Sequence, residues 1–216
     1  MRTNLLALLI TAAAMAAPVA PASATLSEGA LNDFAKCAVT KDRAATAAAA
    51  RKLPLNSDPA TVDAASLHDA ASCAKGAPVE AKSMMLRGAI AQALYRIDFR
   101  DAGMEPRTPV RNFADLGWPA IGDKDPHTDQ GVALFKLADC IARNDVNNVD
   151  VLMRYPFGSD NAHKLLDKMQ PYIQACFPKG ATITVGRDTL HAAIAQGAYY
   201  ASTRLWSGKL TAVKEK

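Results

Sequence analysis

The chain holds 216 residues, half of them hydrophobic and only 6% aromatic, and its 25 Lys and Arg against 21 Asp and Glu leave a formal charge of +4. A charged share of 21% with a mean hydropathy of −0.04 excludes a polytopic membrane protein, and the hydrophobic half argues against bulk disorder. The basic residues are dispersed among acids rather than run together, so neither a nucleic-acid groove nor a polybasic lipid patch is expected.

The first element is an address. Arg2 precedes an apolar stretch from Leu5 to Ala17, and Ala22-Ser23-Ala24 is a small-x-small cleavage site, so residues 1–24 read as a secretory signal peptide. The stretch is shorter than the about 20 residues that a membrane span needs. No membrane insertion is expected after cleavage. With no cysteine before Cys37, lipid attachment at the cleavage point is not expected either. The predicted residence is periplasmic or secreted.

Residues 25–99 read as a first helical unit. Leu31, Phe34, Ala35 and Ala38 line one face of an amphipathic helix that carries Cys37. Asp42 to Leu53 is almost pure alanine, the best helix former but poor in area to bury, which predicts close small-residue packing. Asp58-Pro59 suits a cap followed by Pro at the first helical position and predicts a helix from Pro59 to about Ala74. Ser83 is placed to cap a last helix whose apolar stripe is Leu86, Ala89, Ile90, Ala93, Leu94 and Ile97. Gly88, Ala91, Gln92 and Tyr95 lie opposite, so this helix is expected to pack on both sides.

Residues 100–130 hold four prolines and three glycines and read as a connector, with Phe113, Leu116 and Trp118 able to dock it. Residues 131–207 then repeat the first unit. Leu134, Leu137, Ala138 and Ile141 form the apolar face of a helix with Cys140, Ser159 can open the next helix, and Asp188 can cap the last. Thr182-Ile-Thr-Val185 alternates like a strand, but four residues support at most a minor hairpin. Residues 208–216 are left as a tail.

The duplication is detailed. Cys37 and Cys73 are spaced like Cys140 and Cys176, Pro54-Leu-Asn-Ser57-Asp58 answers Pro156-Phe-Gly-Ser159-Asp160, and Lys75-Gly76 answers Lys179-Gly180. Leu86-Arg-Gly-Ala-Ile-Ala-Gln-Ala-Leu-Tyr95 returns as Leu190-His-Ala-Ala-Ile-Ala-Gln-Gly-Ala-Tyr199. The predicted fold class is therefore all-α, two pseudo-symmetric helical repeats with a minor short hairpin at most. This pattern resembles a family of exported alphaproteobacterial proteins with a duplicated two-cysteine helical repeat. The resemblance spans both copies and implies envelope or secreted residence; it implies no assigned activity.

Four cysteines in an exported chain read as two disulfides, with three pairings formally open. Cys37 with Cys73 and Cys140 with Cys176 is the expected choice, because each copy must once have folded without its twin. No close Cys-x-x-Cys pair suggests a redox or zinc role. His68, His127, His163 and His191 show no metal-ligand spacing, and neither a serine elbow nor a phosphate loop is present, so no metal, cofactor or catalytic residue is assigned. The candidate ligand-binding residues are the two Gln/Tyr pairs, Gln92 with Tyr95 and Gln196 with Tyr199, joined by Arg87 and His191 at one shared repeat position. Together these predict a non-catalytic exported binding or interaction protein of the cell envelope, inhibitor- or immunity-like in one specific form. Its partner would be an unknown envelope protein or a small polar ligand, held in a cleft that the two copies share. The alternative is a cell-wall or polysaccharide hydrolase using paired carboxylates, drawn from Asp33, Asp42, Asp98, Asp139, Asp145 and Asp150.

Overall fold

The computed structural model describes residues 27–53, 61–63, 67, 70–74, 80–99, 126–177 and 184–214. The signal segment and the docking residues Phe113, Leu116 and Trp118 lie outside them. Ser27 opens α1 (Glu28–Lys41) by accepting from the Ala30 N–H, and Asp42 opens α2 (Arg43–Lys52) by accepting from the Ala45 N–H at 2.9 Å. The buried face of α1 is the predicted stripe extended by Val39.

After α2 the chain departs from expectation. The helix predicted from Pro59 to Ala74 is absent from the described part of that stretch. Thr61–Asp63 is a strand, β1, paired antiparallel with β2 (Glu80–Lys82), and only Ala70–Ala74 is helical, as a 3-10 turn that carries Cys73. The β-branched Thr61 and Val62 favour extended backbone, and β2 offers their main chain a ladder partner. Among the described residues the small extended element thus lies in the first copy. In the second copy Thr184 and Val185 lie in no strand.

The last helix of the first copy is α3 (Ser83–Phe99). The second copy opens with α4 (Pro126–Asn144), which starts inside the expected connector, with Pro at its first position where the missing N–H costs nothing. α5 (Val146–Leu152), α6 (Asp160–Lys168) and α7 (Gln170–Ala175) follow, with Ser159 capping α6 as predicted. α8 (Arg187–Lys214) begins one residue before Asp188 and runs through most of the stretch read as a tail. Asp188 therefore sits inside the first turn rather than at the cap.

The described residues are all-α apart from this two-stranded antiparallel pair. Cys37 is bonded to Cys73 and Cys140 to Cys176, each across 36 residues of sequence, and no free cysteine remains. Closing loops of that length stabilises by about 4 kcal/mol each in the chain-entropy model. Bridging of all four cysteines suits an oxidising compartment, and no helix among the described residues is long and apolar enough to cross a membrane.

The two copies correspond element by element. α1 answers α4, α2 answers α5, the Cys73 turn answers α7, and α3 answers α8. The exceptions are β1, which stands where the second copy has α6, and β2, which answers residues 184–186 that lie in no strand. Because α3 packs on α1 and α2 while α8 packs on α4, and α3 and α8 pack extensively on each other, the two last helices form the spine of one continuous core. A polar clasp also ties the start of α1 to the second copy. Glu28 neighbours Asp188, which accepts from the Gly158 N–H at 3.1 Å and pairs with His163 Nε2 at 2.8 Å. Burial and the neighbouring Asp188 push the Glu28 carboxyl upward. Asp188 is itself held low by its bond to His163 and by Glu28, although burial works in the opposite direction.

Candidate functional site

α3 and α8 cross where Gly88 meets Ala192. A Cβ on Gly88 would fall 2.5 Å from the Ala192 Cα and 2.7 Å from its carbonyl oxygen. These two residues occupy the same repeat position, so the crossing lies on the pseudo-twofold relation between the copies. The backbones touch there, and no shared cleft opens on that axis among the described residues. Gly197 allows a similar approach of α8 to α4, where a Cβ would lie 2.6 Å from the Ala138 carbonyl carbon.

The residues singled out from sequence flank this crossing as two bridging pairs. Arg87 donates from Nε to Gln196 Oε1 at 2.9 Å. From Nη1 it donates to the carbonyls of Ala50, Arg51 and Leu53 at 2.8, 3.2 and 2.6 Å. It thereby closes the C-terminal end of α2, whose last carbonyls have no partner within the helix. On the related side His191 faces Gln92, Nε2 to Nε2 at 3.3 Å, and the Gln92 amide donates to the carbonyls of Met153 and Tyr155 at 3.2 and 2.8 Å, past the end of α5. The division of labour is reversed between the two sides. Arg87 bonds its own copy's carbonyls directly, whereas on the related side the glutamine of the other copy bonds the carbonyls of Met153 and Tyr155.

His191 is fully buried, with its ring 4.3 Å from that of Phe157 between centroids. The carbonyls around Gln92 orient its NH2 toward themselves, beside the imidazole. Burial pushes the His191 pKa down to about 3, against the opposing pull of the Asp188 charge. Burial likewise lowers Arg87 to about 10. Its guanidinium meets no carboxylate among the described residues.

The tyrosines stand farther along the same helices. Tyr199 donates to Asp98 Oδ2 at 3.1 Å, and Asp98 is paired with Arg43 at 2.6 Å. Burial raises the Tyr199 pKa and the Asp98 charge adds to the effect, so the phenol stays protonated. Tyr95 donates to Asp150 Oδ1 at 3.4 Å, and Asp150 pairs with Arg154 at 2.5 Å.

Two grooves result, one on each side of the spine. The first, about 510 Å³, lies between α2, α3, α8 and Phe135 of α4. It brings together Arg87, Gln196 and Tyr199. The second, about 680 Å³, lies between α1, α3 and the end of α5, and brings together Gln92 and Tyr95. In each, the second helix of one copy faces the first helix of the other. Under the repeat relation the grooves coincide at Arg51 and Met153, Phe135 and Asn32, Gln196 and Gln92, Tyr199 and Tyr95, and Tyr200 and Arg96. His191 lines neither groove and belongs to the core.

The linings differ in chemistry. The second groove mixes Asp33 and Asp150 with Lys36, Arg96 and Arg154, whereas the first carries Arg51 and Arg87 and, among the described residues, no carboxylate. Of the six acids considered for hydrolysis, only Asp33 and Asp150 share a groove. Asp42 caps α2, Asp98 holds Arg43, buried Asp139 pairs with Arg143 at 3.0 Å, and Asp145 accepts from Asn148 at 2.9 Å. Sequence reasoning missed Arg51, Phe135 and Tyr200. The helical spacing Gln196, Tyr199, Tyr200, Thr203 was legible and would have placed Tyr200 beside Tyr199. Nothing local marks Arg51, the cation that ends an alanine helix, or Phe135, which lies beside the predicted stripe rather than on it.

No protein-family model matches this chain, and neither a curated protein nor a solved structure matches it.

Proposed function

We propose that this is an exported, non-catalytic helical binding protein of the cell envelope whose ligands sit in the seams between its two copies. The observation that carries this reading is the pair of related grooves. Each takes walls from both copies, and each lies within the about 300–1,000 Å³ typical of small-molecule sites. Duplication of a ligandless helical unit would need only the α3–α8 spine; open seams lined by Gln, Tyr and Arg are better suited to a partner. The signal-peptide pattern, the resemblance to exported proteins and the two disulfides together support residence outside the cytoplasm.

The test is a ¹H–¹⁵N titration of the mature protein, begun at Thr25, with a library of small anionic, neutral and zwitterionic compounds. Binding predicts saturable shifts confined to residues of one or both seams. A library-wide absence of shifts at these residues contradicts the reading.

A further inference from the structure

We infer that the groove between α2, α3 and α8 is a site for a small amphipathic carboxylate, an acid head on an apolar body; this rests on the binding role proposed above. Three observations converge on that class. The first is charge. Arg51 and Arg87 both line the groove and, among the described residues, no acid lines it and Arg87 engages Nε and Nη1 while Nη2 has no hydrogen-bond partner. A guanidinium fixed at two nitrogens presents the third in a set direction, the preorganisation that carboxylate recognition uses.

The second is shape. Along α3 the lining residues Arg87, Ile90, Ala91 and Leu94 follow the i, i+3, i+4, i+7 pattern, a stripe about 10 Å long that is cationic at its N-terminal end and apolar beyond. Gln196, Tyr199, Tyr200 and Thr203 run along α8 at the same spacing, and Phe135 stacks edge-on against Tyr200 with ring centroids 5.7 Å apart. A charged head at Arg87 therefore leaves its body running along α3 toward the rings of Tyr199 and Tyr200, with Ile90 and Leu94 buried beneath it.

The third is divergence within the molecule. The related groove has lost this polarity. His191 replaces Arg87 and is buried away from it, Met153 replaces Arg51, and acids face it alongside the bases. Anion selectivity should thus be a property of one seam and not of both.

The experiment is calorimetric titration of the mature disulfide-bonded protein with octanoate, octylammonium, octyl glucoside and acetate, each below its micellar range, with the same titrations followed by ¹H–¹⁵N shifts. The expected result is octanoate binding roughly tenfold or more tighter than octyl glucoside, the size of one charge-assisted contact. Octylammonium and acetate should bind weakest. Because Arg87 also closes α2, the informative variant is Arg51→Glu, an exposed position, which should weaken octanoate by roughly tenfold while leaving octyl glucoside unchanged. Equal affinity for octanoate and octyl glucoside, or octanoate binding that Arg51→Glu does not alter, overturns the anion assignment. If other compounds shift the seams while octanoate does not, the anion assignment fails and the binding role survives; if nothing shifts them, both fail.

Discussion

At the scale of single residues, one repeat position has been put to two uses. Arg87 keeps its charge by laying it across the end of α2, where the unpaired carbonyls and the helix dipole accept a cation. His191 has surrendered its charge to burial. The consequence for pH follows from its pKa of about 3 in the folded chain against an ordinary 6.5. Its folded value is depressed, so the contribution is fully present above 6.5 and is lost as the pH falls from 6.5 toward 3, where the unfolded chain takes up the proton first. The slope is about 1.4 kcal/mol per pH unit. The stability advantage of wild type over His191→Gln should therefore shrink by about 2–3 kcal/mol between pH 7 and pH 4.5. Urea unfolding at the two pH values checks it, and an advantage independent of pH would mean that the imidazole is solvated. Sequence spacing revealed that Arg87 and His191 are equivalent. It could not reveal that one faces a groove and the other the core, because that depends on how far each side chain reaches across a crossing made elsewhere.

At the scale of elements, the Gly88–Ala192 contact sets how closely the spine helices approach. Gly88→Ala should lower stability by about 1–3 kcal/mol through forced separation, outweighing the about 1 kcal/mol that alanine adds to helix propensity. Since the two positions are related by the pseudo-twofold, Gly88→Ala with Ala192→Gly moves the methyl group to the other helix, and thermal melting should show part of the loss recovered. A double variant no more stable than Gly88→Ala alone would mean that the crossing is not symmetric. Elements with strong periodicity were legible. The stripes of α1 and α4 are buried as read, Ser159 caps α6 where expected, and α3 packs on both faces, although Ile97 at its end is half exposed; Ser83 and Asp188, read as caps, instead sit inside the first turns of α3 and α8. The stretch before Cys73 was not legible. Asp58-Pro59 signals a helix start, but a start signal does not specify how far a helix extends, and a ladder partner at Glu80–Lys82, distant in sequence, settled Thr61–Asp63 as a strand.

At the scale of the molecule, two copies that resemble each other closely in their last helices share one core and yet present seams of different character. The reason is that each seam is built from non-equivalent surfaces of both copies, so a handful of substitutions off the core redirect its chemistry without disturbing the spine. The duplication itself was visible in the matched cysteines and the Gln/Tyr echo. The location of the candidate site was not, because equivalent residues predict a shared cleft on the axis, whereas the small residues at Gly88 and Ala192 close that axis by direct contact. All of this depends on each half carrying its own bridge, Cys37 to Cys73 and Cys140 to Cys176. Proteolysis of the mature protein under non-reducing conditions, followed by mass spectrometry of the linked peptides, tests that directly. The account predicts only these two linked pairs and no alkylatable thiol, whereas any peptide joining Cys37 or Cys73 to Cys140 or Cys176, or a free thiol in protein taken from the envelope, would contradict it.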